Sequence, residues 1–355
     1  MLGSRRLLAC GLLILWPWAA LQAQPAVPQV RLLATGGTIA GAGNEANASY
    51  KSGVVPVSGL IAALPGVDRI ASISGEQVAN IASGDMDEGV WRQLLARIAA
   101  AQADPAVAGV VITHGTDTLE ETAFLLSLLV PPTKPVVVVG SMRPSTAVSA
   151  DGPQNLMDAV RVAAAPNAAG RGVMVVMNDT IFDPASVTKV DMARVNAFAA
   201  PARGPIGHVL LPTPRFFAPA PAAPAPLALL EAKLPRVAVV YAYAGITGDE
   251  VRQITNGAAG VIIAGVGAGG FSTSARAAVR ELTRRGVPVV RTPRQGQGDI
   301  RPALARADRE DDIGTIGGRE LTPAKARILL MLALQQPRTR DELQALFDSV
   351  GGPAG

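Results

Sequence analysis

The sequence holds one cysteine, Cys10, and two histidines, His114 and His208, in 355 residues. A lone thiol excludes both an internal disulfide framework and thiolate-rich metal sites. Aromatic residues reach only 4% and charged residues 17%, against 49% hydrophobic. So apolar a composition excludes a disordered chain. Few rings and much alanine, valine and glycine suit helices packed closely on a parallel sheet better than an all-β sandwich. Basic residues do not cluster, and the pair Arg284-Arg285 reads as a solvated helix face, so nucleic acid is not an expected partner.

The first residues form a separate unit. MLGSRR is a basic start, LLACGLLILWPWAAL an apolar stretch, and LQAQP a cleavage region ending near Ala23. The apolar stretch is short for a membrane span and is interrupted by Pro17. Residues 1–23 are therefore expected to be a removed secretory signal, leaving a periplasmic protein without membrane attachment. Arg5 and Arg6 leave with it and no acid does, so the formal charge falls from +4 to about +2. Cys10 leaves as well.

Beyond the leader, short valine-rich runs read as buried parallel strands: VRLLA (30–34), AGVVIT (108–113), PVVVVG (135–140) and GVMVVM (172–177). Helical patterns alternate with them at 87–102, 119–129 and 152–165. This alternation predicts a doubly wound, mostly parallel α/β domain over residues 24–211. Residues 212–235 are proline-rich and read as a semi-extended, solvated interdomain connection. The pattern then resumes with RVAVVYAYA (236–244), AGVIIAGV (259–266) and VPVVRT (287–292), which predicts a smaller α/β domain over 236–355. TPAKARILLMLALQQ (322–336) predicts an amphipathic helix with Thr322 as N-cap and Pro323 at its first position.

In such sheets ligands sit at the carboxyl ends of the strands. Four strand ends here carry small polar groups. After VRLLA comes TGGTIAGAGNEANASYK, where Gly36 and Gly37 allow a tight turn before Thr38, and a flexible stretch carrying Tyr50 reads as a lid. After AGVVIT come His114, Gly115, Thr116, Asp117 and Thr118. Hydroxyls need an adjacent base to act as nucleophiles. His114 neighbours Thr113 and lacks evident triad companions, so its expected role is a packed, hydrogen-bonded one. Lys189, in SVTKV, is the other candidate base, because a partly buried lysine can accept a proton. The GGT turn lacks the spacing of a dinucleotide site, and a nucleotide-binding reading of GVGAGG (265–270) would rest on one weak glycine run.

Taken together, TGGTIAG (35–41), GEQVANIASGDM (75–86), GVVITHGTDTLEETA (109–123), GSMRP (140–144), SADGPQNL (149–156) and VVMNDT (175–180) resemble the bacterial type II L-asparaginases of the asparaginase/glutaminase family. The match runs in order over nearly the whole chain after the leader. It implies hydrolysis of an amino-acid side-chain amide through a threonine acyl-enzyme, with no metal or organic cofactor. By the resemblance Thr38 is the primary nucleophile and Tyr50 the lid tyrosine that supports it. Thr116, Asp117 and Lys189 form the second catalytic group, and Ser83 and Asp117 grip the substrate's α-carboxylate and α-ammonium. A homotetramer with sites completed by a neighbouring subunit's C-terminal domain is also implied.

Three positions depart from the family pattern. Gly84 stands where a glutamine or glutamate is usual beside the substrate-binding serine, and Ala268 replaces an asparagine. In ADREDD (307–312), acidic where the family supplies a carboxylate to the substrate's ammonium, Arg309 falls on that position, leaving either Glu310 to substitute or nothing to do so. These departures bear on asparagine against glutamine preference more than on reaction type. Two other readings remain open from sequence: a broad-specificity glutaminase-asparaginase, and a non-catalytic periplasmic amino-acid binding protein, which would need no nucleophile or base.

Overall fold

The computed structural model describes residues 27–45, 49–210, 212–220, 227–303 and 312–352. The expected leader and the Arg309/Glu310 position therefore lie outside the described residues. The first half runs β1 (Gln29–Gly36), a hairpin of β2 (Ala42–Glu45) and β3 (Ser49–Lys51), α1 (Val57–Ala62), β4 (Ser72–Ile81) and α2 (Glu88–Ala103). It continues with β5 (Val107–Thr113), α3 (Leu119–Leu129), β6 (Val136–Val139), α4 (Gly152–Ala164), β7 (Val173–Met177) and β8 (Thr180–Phe182). A short pair, β9 (Thr188–Lys189) and β10 (Phe198–Ala199), precedes β11 (Gly207–Leu210) and β12 (Thr213–Phe216).

Eight of these strands make one sheet in the order β12-β11-β8-β7-β6-β5-β1-β4. Strands β4, β1, β5, β6 and β7 are mutually parallel, as their uninterrupted apolar runs predict for all but β4. The edge strand β4, SISGEQVANI, alternates in burial and so offers no such run. At the far end the chain reverses through Asn178 and Asp179, both at positive φ, into antiparallel β8. Part of the stretch read as a connection is also strand. Thr213–Phe216 pairs with β11 as the outermost strand, the place where a sheet tolerates a proline such as Pro214.

The second sheet is parallel and four-stranded, in the order β13 (Val237–Tyr241), β14 (Gly260–Gly265), β15 (Val289–Pro293) and β16 (Ile316–Gly317). Helices α5 (Gly248–Thr255) and α6 (Thr273–Arg284) pack on one face. On the other lie α7 (Pro323–Ala333) and α8 (Arg340–Gly351). Thr322 caps α7 through Lys325 N, with Pro323 in the first turn, as predicted. Its amphipathic character is corrected. Lys325, Ala326 and Ile328 through Ala333 are all buried, because α7 is covered by both domains. One apolar cluster runs from α2 and α3 of the first domain through α7 to β13, β14 and β15 of the second. Phe124, fully buried on α3, belongs to it.

The end of the interdomain stretch is tied to both sides. Glu88 Oε2 accepts from Leu234 N at 3.1 Å, and Arg92 Nη2 donates to Ala232 O at 2.9 Å. From α7's end, Gln335 accepts from Leu230 N and donates to Ala228 O, both at 2.8 Å. Truncating the shared cluster should be felt across both domains. Phe124→Ala is expected to cost about 3–5 kcal/mol of unfolding free energy in urea titration. A loss below about 1 kcal/mol would contradict tight packing at this site.

Candidate active site

The site is set by strand order. From β1 the chain leaves toward β4 on one side, and β5 returns on the other before continuing to β6 and β7. The carboxyl ends of β1 and β5 thus flank a topological switch point, where loops diverge and leave a crevice. Gly37, at φ 78°, lies against Gly115, and a side chain here would bring its first carbon within 2.4 Å of Gly115 Cα. Gly115 in turn abuts Ser83, whose Oγ would lie 2.8 Å from a carbon on Gly115. The ends of β4, β1 and β5 are therefore drawn together, carrying Ser83, Thr38 and Thr116.

Thr38 opens a short 3-10 turn and is buried. Its Oγ1 lies 2.7 Å from Tyr50 Oη, at the returning strand of the hairpin. The tyrosine ring lies over Gly41, where any side chain would come within 2.8 Å of its Cδ2. The hairpin's stem rests on the loop after β6. Ser145 N and Oγ both donate to Gly41 O, at 3.0 and 2.7 Å, and Gly43 N donates to Thr146 Oγ1 at 3.2 Å. Asp151 holds that loop by accepting from Met142 N and Arg143 N, each at 2.9 Å.

The second group assembles beside it. Lys189 Nζ donates to Thr116 Oγ1 at 2.9 Å and to Asp117 Oδ1 at 2.6 Å. The lysine side chain is 17% exposed, whereas the Asp117 carboxylate is 75% exposed and open to a cationic ligand. Asp117 N donates to Ser83 Oγ at 3.2 Å, and Thr118 Oγ1 donates to Ser83 O at 2.7 Å. The structure thus groups Thr116, Asp117, Lys189 and Ser83, and pairs Thr38 with Tyr50. Gly84 faces open space, with nothing within 4 Å of where a side chain would begin. Ala268 is exposed on the tight loop closed by the Val266–Gly270 bridge in the other sheet.

His114 has the expected supporting role. It is fully buried, its Nδ1 lies 2.7 Å from Gly115 O, and its Nε2 lies 2.9 Å from Thr122 Oγ1. Gly115 O can only accept, so Nδ1 carries the hydrogen, and Nε2 of the neutral ring accepts from the Thr122 hydroxyl, which itself accepts from Trp91 Nε1 at 2.9 Å. That neutral tautomer fixes the turn bearing Thr116. Burial lowers the imidazole pKa from 6.5 to about 4, despite the opposing backbone hydrogen bond. Thr113, also buried, leaves its Oγ1 without a partner among the described residues.

Two residues that hold the segment carrying Lys189 went unnoticed in sequence. Glu120 Oε2 accepts from Lys189 N at 3.1 Å, and Lys325 reaches the same segment from the second domain. Glu120 sits in the predicted helix directly after the polar cluster. Lys325 is one of two charges, with Arg327, at the start of a largely apolar helical run, which was the available signal. Among the described residues no group of three or more His, Cys, Asp or Glu side chains could hold a metal ion.

The switch-point crevice thus holds one threonine paired with a tyrosine and one paired with a lysine, in a two-domain α/β fold. Residues 29–219 match the family model "Asparaginase, N-terminal", and residues 236–347 match "Glutaminase/Asparaginase C-terminal domain". The chain belongs to the asparaginase/glutaminase family. It is 41% identical over 332 residues to L-asparaginase 2 of Escherichia coli (strain K12), covering 91% of this chain and 93% of that protein. It is 38% identical over 331 residues to a probable periplasmic L-asparaginase of Haemophilus influenzae, at 91% and 93% coverage. The crystal structure of a probable cytoplasmic L-asparaginase from Campylobacter jejuni superposes with a TM-score of 0.84 at 38% identity, over 90% of this chain and 99% of that one.

The low imidazole pKa has a testable consequence. The unfolded chain binds a proton at His114 below pH about 6.5 and the folded chain only below about 4, so stability falls as pH drops through this window. The contribution is about 3 kcal/mol when fully developed. His114→Gln is expected to flatten that part of the stability–pH curve relative to the unsubstituted protein, read by urea midpoints from pH 7 to 4. Parallel curves would show that His114 is not held neutral.

Proposed function

We propose that the protein hydrolyses the side-chain amide of L-asparagine to L-aspartate and ammonia. One observation carries this reading: two hydroxyls on adjacent strand ends each have a proton carrier in direct reach. Tyr50 Oη stands 2.7 Å from Thr38 Oγ1, and Lys189 Nζ stands 2.9 Å from Thr116 Oγ1. Such distances suit general acid–base transfer. A non-catalytic binding protein needs neither pair.

In the proposed sequence, the substrate's α-ammonium binds the exposed side of Asp117 and its α-carboxylate binds at Ser83. Thr38 Oγ1 attacks the amide carbon while its proton passes to the Tyr50 hydroxyl, which hands its own proton on toward the amide nitrogen. Backbone amides at the Gly115–Thr116 turn face the developing oxyanion. Asp117 N is already engaged by Ser83 Oγ and is not among them. Collapse of the tetrahedral intermediate expels ammonia after the nitrogen takes up a proton. Water then cleaves the acyl-threonine, with Thr116 and Lys189 carrying its proton. The hairpin bearing Tyr50 excludes bulk water during the reaction.

Broad activity toward L-glutamine is the second reading, favoured by the space beside Gly84, which leaves room for a longer side chain. The probable periplasmic relative supports a periplasmic location, reached through the leader at residues 1–23. By family resemblance the assembly is a homotetramer, with each site completed by a neighbouring C-terminal domain.

Ammonia release from asparagine and glutamine tests these statements. Thr38→Ala and Lys189→Met are each expected to lower kcat by at least about 10³-fold with fold and assembly intact. Turnover undiminished in Thr38→Ala would sink the nucleophile assignment. Release from neither amide by the unsubstituted enzyme would sink the activity.

A further inference from the structure

Lys325 is a fully buried cation on α7, in the second domain, and the proposed reaction does not use it. Its ammonium donates to Ala185 O at 3.2 Å and also to Val187 O. Those carbonyls belong to the first domain, in the turn that runs directly into Lys189. Asp183 shapes this turn, accepting from Ser186 N through Oδ2 at 3.1 Å and from Val187 N through its carbonyl at 3.0 Å. Two residues later Lys189 N is held by Glu120 Oε2 at 3.1 Å. The backbone that delivers Lys189 is thus gripped ahead of it by Lys325 and at its own amide by Glu120.

Burying an ammonium is costly, and burial is the main reason the Lys325 pKa falls to about 8. Glu120, Asp183 and Glu121 oppose that shift, while Arg203 adds to it. Glu121 in turn faces Arg327 on the same helix as Lys325. A buried cation joining two backbone carbonyls offers little net stability over an apolar residue of the same shape. Geometry is what it supplies. Its two carbonyl partners fix the height and rotation of the turn, and therefore where Nζ of Lys189 arrives between Thr116 and Asp117.

We propose that Lys325 is a positioning residue for Lys189, so that docking of the second domain sets the reach of the proton carrier to Thr116. This rests on the reading of Lys189 given under Proposed function. Misplacing a catalytic group by about 1 Å can cost roughly 100-fold in rate, whereas substrate contacts at Ser83 and Asp117 would be little changed. The signature is a loss in kcat with KM preserved, together with a displaced pH dependence of kcat.

The test compares ammonia release by the full chain in its unsubstituted form with Lys325→Met, Lys325→Arg, Glu120→Gln and Lys189→Met, across pH 5 to 10. For folded Lys325→Met, kcat is expected to fall by about tenfold or more with KM within about twofold, and the kcat–pH profile to shift. Lys325→Arg, which keeps charge and donors, should recover part of the loss. Lower thermal stability with unchanged kcat and profile in Lys325→Met would make the residue purely structural and overturn the proposal. Should Lys325→Met fail to fold, Glu120→Gln loosens the other grip on the same segment. It must then lower kcat and shift the profile, and unchanged kinetics there overturn the proposal as well. Lys189→Met separates the two failures. If it keeps full turnover, the underlying reading fails; if it is inactive while folded Lys325→Met is unaffected, only the positioning role fails.

Discussion

The site depends on one steric constraint, the contact of Gly37 with Gly115. No side chain fits between them, since even one carbon would come within 2.4 Å of Gly115 Cα. That approach lets the turns after β1 and β5 share a crevice, so that hydroxyls 78 positions apart in sequence border the same space. Ser83 closes the third side through the same kind of contact with Gly115. His114 then locks the Gly115 carbonyl from beneath. The histidine's work is thus complete before any substrate arrives, and its burial keeps it neutral for that purpose.

Around this constraint the two domains divide the labour unequally. The first carries the proposed nucleophile and the proposed substrate contacts. The second contributes α7, whose nearly continuous burial joins the two cores and whose buried Lys325 reaches across to the segment bearing Lys189. Arg203 makes a parallel tie, donating to Glu320 Oε2 at 2.7 Å and to the carbonyls at Gly351 and Gly352. Polar links across an apolar seam add direction to contacts that would otherwise allow sliding.

Much of the architecture was legible because buried parallel strands announce themselves. VRLLA, AGVVIT, PVVVVG and GVMVVM all became strands, and the helix over 119–129 has the bounds read from sequence. The strand SISGEQVANI was not legible by run length, since an edge strand with one wetter face alternates. Nor was Thr213–Phe216, where the prolines that suggest a connection are compatible with the outermost strand alone. The helix TPAKARILLMLALQQ was read correctly as a helix but not as a buried one, because periodicity records one apolar face and not how many neighbours cover it.

The sequence by itself determined the polar inventory at each strand end and, through its motifs, the family. Thr38, Tyr50, Ser83, Thr116, Asp117 and Lys189 could all be named before any coordinate was known. Only the tertiary structure decided which of them meet. Strand order put β1 between β4 and β5, and glycine contacts closed the gap between their ends. Lys189 arrives 73 residues beyond Thr116 through an antiparallel pair that no local pattern foretold. The reason is physical: local sequence governs turns and runs through short-range sterics and burial, whereas reach between side chains depends on register and domain docking, which are properties of the whole fold.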